Sequence, residues 1–245
     1  MDLLALDRVS KRFRRGGRGG FEQLALRDVE LEVAAGELVA VWGRRRSGRT
    51  TLLQVAAGIE RPSAGVVRFR GVDLARRAML GREGGIAYAG THFSRIVGET
   101  VLDHVAAPLL GGGTSASAAQ APAFEALQRV GAVECAQLDV DALDHDERIR
   151  VAVARALATG PRLLIVDEPT QELRLADARD RVLELLRALA RRDGVAVLMT
   201  AGEAGDLAGA DRALTIDRGE LRGATHVASG RVIELRPQRR GTAPA

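Results

Sequence analysis

The chain has 245 residues, of which 46% are hydrophobic and 3% aromatic, so a globular core built mainly of Leu, Val and Ala is expected, with room for an inserted subdomain. The net charge of +4 is modest and partly terminal (residues 11–18 and 236–240), which argues against a nucleic-acid partner and leaves phosphate or acidic lipid headgroups as anionic ones. One cysteine, Cys135, excludes an internal disulfide framework, and no apolar run approaches the ~20 residues of a membrane span.

Residues 3–9 read as a strand, and the glycines of 16–20 as a turn or loop between strands. Residues 29–33 alternate apolar with acidic side chains, as a half-exposed strand does, whereas 37–42 is continuously apolar and reads as a strand buried on both faces. A loop follows at once, then a helix over 50–58, then strands over 66–70 and 85–88. From 98 to 158 the pattern is mostly helical, broken by a Gly/Ser run at 111–115 that reads as a surface loop. Residues 163–166 form a central strand, 176–191 an amphipathic helix and 195–199 another buried strand; strand pairs recur over 213–221 and 231–235. Strands alternating with helices imply an α/β sheet with a helical insertion between its halves. The N-terminus carries no signal-peptide pattern, so a soluble, cytoplasmic protein is expected. Cys135 reads as a small buried apolar residue. His92, His104, His145 and His226 lack metal-ligand spacing and read as structural or solvated.

Two motifs carry chemistry. The run Gly43-Arg44-Arg45-Arg46-Ser47-Gly48-Arg49-Thr50-Thr51 matches the phosphate-binding pattern G-x-x-x-x-G-K-[ST], except that Arg49 stands at the lysine. In such a loop glycines let backbone N–H groups approach phosphate, the lysine meets the β- and γ-phosphates, and a hydroxyl, here of Thr50, holds Mg²⁺. Downstream, the apolar strand 163–166 delivers Asp167 and Glu168, a pairing suited to a Mg²⁺-holding and a water-polarising carboxylate.

With both motifs in place the chain resembles, over nearly its whole length, the nucleotide-binding subunits of ABC transporters, and within them the lipoprotein-release and macrolide-efflux type. Leu24-Ala25-Leu26-Arg27-Asp28-Val29 with Ala35-Gly36-Glu37, Thr100-Val101-Leu102-Asp103-His104-Val105, and Arg150-Val151-Ala152-Val153-Ala154-Arg155 carry the resemblance. It implies a P-loop NTPase core of the ABC type with an inserted helical subdomain (about 92–158) and an N-terminal antiparallel β-subdomain. This would form one domain over 1–236, followed by a disordered basic tail, 237–245. The resemblance further implies ATP and Mg²⁺ as ligands, a membrane permease as partner, and a homodimer or a heterodimer with another such subunit at the inner face of the cell membrane. Phe13 falls where the family stacks an aromatic on adenine, although a strand-edge core residue would read alike. The nucleotide would be held by Phe13, Gly43, Ser47, Gly48, Arg49, Thr50, Thr51 and Asp167, with Mg²⁺ on Thr50 and Asp167 and Glu168 as general base.

The resemblance also exposes departures. Arg46 replaces a loop glycine, Thr91 the glutamine that joins the nucleotide site to the permease, and Ala201 the switch histidine. The signature segment reads Leu143-Asp144-His145-Asp146-Glu147, and Arg174 stands at an aspartate. Arg49 is a planar fork rather than a compact ammonium, and Arg46 puts bulk where the backbone approaches phosphate. Asp144, Asp146 and Glu147 would present negative charge to a negative ligand across a dimer; equally, Asp144 and Glu147 space as a capping box at a helix start. In the family each composite site combines one subunit's loop with the other's signature, so altering both leaves no complete site. The expected function is a degenerate ATP-binding subunit coupled to a permease. The alternatives are an active exporter ATPase for lipids, peptides or drugs, and a soluble scaffold outside transport.

Overall fold

The computed structural model describes residues 2–15, 21–90, 98–112, 114–228 and 231–234. Two sheets form its frame. The smaller is antiparallel, of four strands in the order β2-β1-β4-β5, with β1 at Asp2–Arg15, β2 at Phe21–Ala34, β4 at Ala64–Phe69 and β5 at Val72–Asp73. The larger runs β11-β10-β9-β3-β8-β7-β6. Its strands are β3 (Leu38–Trp42), β6 (Ile86–Ala89), β7 (Leu163–Val166), β8 (Ala196–Ala201), β9 (Arg212–Asp217), β10 (Glu220–Ala228) and β11 (Arg231–Glu234). The neighbours from β9 through β6 pair in parallel; β9–β10 and β10–β11 are antiparallel.

The continuous apolar runs of the parallel strands have a direct cause: both faces are covered. On β7, Leu164 and Val166 face a core shared with the helices, while Leu163 and Ile165 face the space between the two sheets. β3 divides likewise, with Leu38 and Ala40 on the helical side and Val39 and Val41 towards the smaller sheet. Helix α1 (Arg49–Ala56) buries Leu52, Leu53 and Val55 in that inter-sheet core. Between β6 and β7 lie α2 (Val101–Ala106), α3 (Ala116–Arg129) and α4 (His145–Leu157); α5 (Ala176–Arg191) joins β7 to β8. Cys135 is buried and unpaired with another cysteine, and burial, reinforced by Glu147, pushes its thiol up to about 11, so it behaves as a small apolar group.

Three expectations need correction. β1 and β2 are each 14 residues long, well beyond 3–9 and 29–33. Their pairing slips at several points, and Arg8 and Asp28 take φ of 46°; such bulges break the alternation from which strand length is read. The Gly/Ser run is not wholly loop: Ala107–Gly112 forms a 3-10 helix continuing α2, and Ser115 caps α3 by accepting from the Ala118 amide at 3.2 Å. Helix α1 ends earlier than expected, at Ala56 rather than 58, because Gly58 turns out with φ of 75°. The glycine run 16–20 and the tail 237–245 lie outside the described residues.

Candidate functional site

The loop between β3 and α1 sits where sheet strands end and a helix begins. Gly48 is the N-terminal cap of α1 with φ of 111°, and no side chain caps the helix, so its leading N–H groups stay open to an anion. Gly43 and Gly48 are required sterically. A Cβ on Gly43 would lie 2.5 Å from the Ile216 carbonyl oxygen, and one on Gly48 2.5 Å from that of Ala25. The Gly219 amide donates to the Ser47 carbonyl at 2.8 Å, tying the loop to the β9–β10 turn. Ser47 is buried, and its hydroxyl makes no hydrogen bond among the described residues, an orphaned polar atom of the kind a phosphate oxygen satisfies. Arg46 holds φ of 65°, a left-handed conformation that favours the glycine expected there.

Arg49 departs most from a phosphate-binding lysine. Its guanidinium is buried, donates to the Ala201 carbonyl and forms an ion pair with Glu168. The arginine therefore ties together the end of β8 and the carboxylate that would polarise water. Glu168 itself has φ of 46°, an unusual backbone state for a residue with a side chain, here fixed by its amide donating to Thr200 Oγ1 at 2.8 Å. The same hydroxyl donates to Asp167 Oδ1 at 2.6 Å, while the Tyr88 phenol donates to Oδ2 at 3.3 Å. Burial, then the charge of Asp167, push the Tyr88 phenol up, so it stays a protonated donor.

Ser47, Gly48, Arg49, Thr50, Thr51 and Glu168 line one cleft of about 540 Å³. The Thr50 side chain is exposed at the first turn of α1. Phe13 does not line this cleft; it pairs with Gln23, which does, and Lys11 Nζ stands 4.8 Å above its ring. The residues present fit a phosphate chain through glycine backbone, open helix amides and the orphaned hydroxyl. They do not reproduce a lysine free to meet it.

The signature segment starts α4, and the capping box is present: the Glu147 amide donates to Asp144 Oδ1 and the Asp144 amide to Glu147 Oε2, both at 2.8 Å. Asp146 is not presented outwards. It is buried, 3.1 Å from Arg150 and 3.6 Å from Arg181, while His145 lies 3.1 Å from Glu172. The negative charge expected on this segment is thus partly taken up by its own neighbours. Asp144→Ala should lower stability by about 1 kcal/mol through loss of the cap, read as an earlier urea midpoint at unchanged slope. Arg174 is exposed and lines a separate recess with Arg179 and Glu203; Thr91 and His92 lie outside the described residues. His104 is buried, 3.4 Å from Glu99; burial and then the Arg155 charge hold its imidazole below its ordinary range, as suits a structural histidine. Among the described residues no His, Cys, Asp or Glu group has metal-ligating geometry, and no helix is long and apolar enough to cross a membrane.

Sequence reasoning missed Tyr88, Thr200 and the arginines that join the loop from other elements, Arg27 and Arg218. Only Thr200 carried a signal, as the one hydroxyl residue in an otherwise apolar strand.

Residues 26–171 match the profile of the ABC transporter family. The lipoprotein-releasing system ATP-binding protein LolD of Chromohalobacter salexigens is 40% identical over 200 residues, 79% of this chain and 83% of that protein. The methionine import ATP-binding protein MetN of Myxococcus xanthus is 36% identical over 238 residues, 95% of this chain and 69% of that protein. Among solved structures, that of MJ0796, a dimeric bacterial ABC transporter cassette, has the same fold, with a TM-score of 0.77 at 24% identity over 90% of this chain and 97% of that one.

Proposed function

The chain belongs to the ABC transporter family, and from that premise we propose that it is the ATP-binding subunit of a transporter, docked on a membrane permease, whose own ATP turnover is slow. One observation carries the last clause: Arg49, at the lysine position, is engaged with Glu168 and the Ala201 carbonyl, so the phosphate-binding cation and the water-polarising base occupy each other. Loss of a single donor that acts in the transition state costs ~10²–10³ in rate, and here both the lysine and the switch histidine are replaced.

On this reading the loop amides and the Ser47 hydroxyl would hold the phosphates, and Thr50 and Asp167 would hold Mg²⁺, which would supply neutralisation of charge on the transferring phosphoryl group. Thr200 and Tyr88 fix the Asp167 carboxylate for that role. The subunit would sit at the inner face of the membrane through the permease and pair with a second such subunit; the dimeric state of MJ0796 and the names of the LolD and MetN relatives support this. The single-domain organisation over 1–236 belongs to the same proposal.

A second reading has its own support. Asp167, Glu168 and Thr50 are retained, and the relatives are named ATP-binding proteins, which favours an active motor. Steady-state phosphate release by the purified chain with Mg·ATP separates the two. Slow turnover, below about 0.1 s⁻¹ against the median near ~10 s⁻¹ for enzymes, is expected. Turnover near that median, lost in Glu168→Gln, would overturn the slow reading and establish the motor.

A further inference from the structure

The loop walls a second cleft. Arg45, Arg46, Ser47 and Arg218 line both recesses, but the second, of about 530 Å³, opens beside Trp42 and Arg44 and reaches Arg222. Five arginines line it, with Asp217 the single acidic side chain among the described residues there. Arg44, Arg45, Arg46 and Arg218 form no ion pair with any described residue, whereas in the first cleft Arg49 is already matched by Glu168. Two of these arginines, Arg46 and Arg218, sit at positive φ (65° and 47°), and such backbone strain gathers at ligand sites. The buried Ser47 hydroxyl, without a partner among the described residues, adds a donor at the wall common to both clefts.

We propose that this second cleft binds a metal-free polyphosphate chain, whether inorganic or the phosphate end of a nucleotide. Guanidinium forks pair two at a time with phosphate oxygens, and several converging ones match a ligand with three or four negative charges better than a single phosphate. Magnesium works against such binding, because the ion cancels ligand charge while the cleft offers only Asp217 as an oxygen ligand of opposite sign. The site shares Arg45, Arg46, Ser47 and Arg218 with the Mg·ATP site proposed above but adds Arg44 and Arg222 and takes its ligand without the metal, so metal dependence and the Arg44 side chain tell the two apart.

Trp42, the chain's single tryptophan, lines the cleft and reports on it. The experiment is titration of the full chain with sodium tripolyphosphate in EDTA, followed by Trp42 emission and by calorimetry as a reporter-independent readout. ATP in EDTA and sulfate at matched ionic strength run in parallel. Saturable binding is expected at a midpoint about tenfold or more below that of sulfate, weakened several-fold by excess Mg²⁺. Arg44→Ala, an exposed substitution that touches only this cleft, should weaken it about tenfold, while the charge-matched Arg27→Ala, which lines only the other cleft, should change it less than twofold. ATP binding as tightly as tripolyphosphate identifies nucleotide phosphates as a source; tripolyphosphate alone identifies the inorganic chain. Equal losses in the two variants, a sulfate midpoint equal to that of tripolyphosphate, or binding that requires Mg²⁺ would each overturn the proposal. Failure of Mg·ATP to bind the first cleft would leave these readouts unchanged.

Discussion

Replacing Arg49 by lysine is expected to raise affinity for Mg·ATP by about tenfold or more. In the present arrangement the guanidinium fork spans two acceptors, the Glu168 carboxylate and the Ala201 carbonyl. To meet a phosphate it must release both, leaving a largely buried carboxylate and a carbonyl without their donor, at about 1–3 kcal/mol for a buried group deprived of its partner. Lysine offers a compact ammonium on a flexible stem and cannot serve two separated acceptors as a planar fork does. Each 1.4 kcal/mol removed from that competition is about tenfold in binding. Calorimetric titration of both proteins with Mg·ATP decides the matter; equal affinities would mean that the Arg49–Glu168 pair does not compete with nucleotide.

Glu168→Ala should destabilise the fold by about 2–3 kcal/mol even without ligand. A buried ion pair contributes little when intact, but removal of one partner strands the other charge, typically at about 3–5 kcal/mol. The lower figure applies because the Glu168 side chain is 18% exposed and Arg49 keeps the Ala201 carbonyl. For a chain of this size the melting temperature should fall by about 4–12 °C. Adding Arg49→Met should recover about half of that loss, since the stranded guanidinium is then absent and a flexible apolar side chain fills its place. If the single substitution melts within a degree or so of the parent, the pair is not formed in solution. A water-polarising carboxylate that mattered only to catalysis would give no such stability signal, so the two roles of Glu168 separate experimentally.

The frame of the fold was legible because strand and helix leave periodic marks. Residues 163–166 and 176–191 were read with the observed bounds: a strand covered on both faces is apolar at every position, and an amphipathic helix repeats with its turn. The hairpin of β1 and β2 was read short, since its slips in register at Arg8 and Asp28 make adjacent residues share a face. At the signature segment the spacing of Asp144 and Glu147 foretold the capping box, because that contact is local and spans three residues. What could not be foretold was the burial of Asp146 between Arg150 of its own helix and Arg181 of α5, since the second partner is distant in the chain.

The same division runs through the candidate site. The sequence by itself determined the strand–loop–helix that opens amides to phosphate, the glycines the loop cannot lose, and the replacement of its lysine by Arg49, since each is a property of a few consecutive residues. Only the tertiary structure decided where the Arg49 charge goes, that Thr200 and Tyr88 hold Asp167, and that Arg218 joins Arg44–Arg46 around a second cleft. Those partners lie on β6, just after β7, on β8 and in the β9–β10 turn, far apart in the chain, and a long side chain chooses among acceptors by geometry and burial, which are set only when the sheet brings its strand ends together.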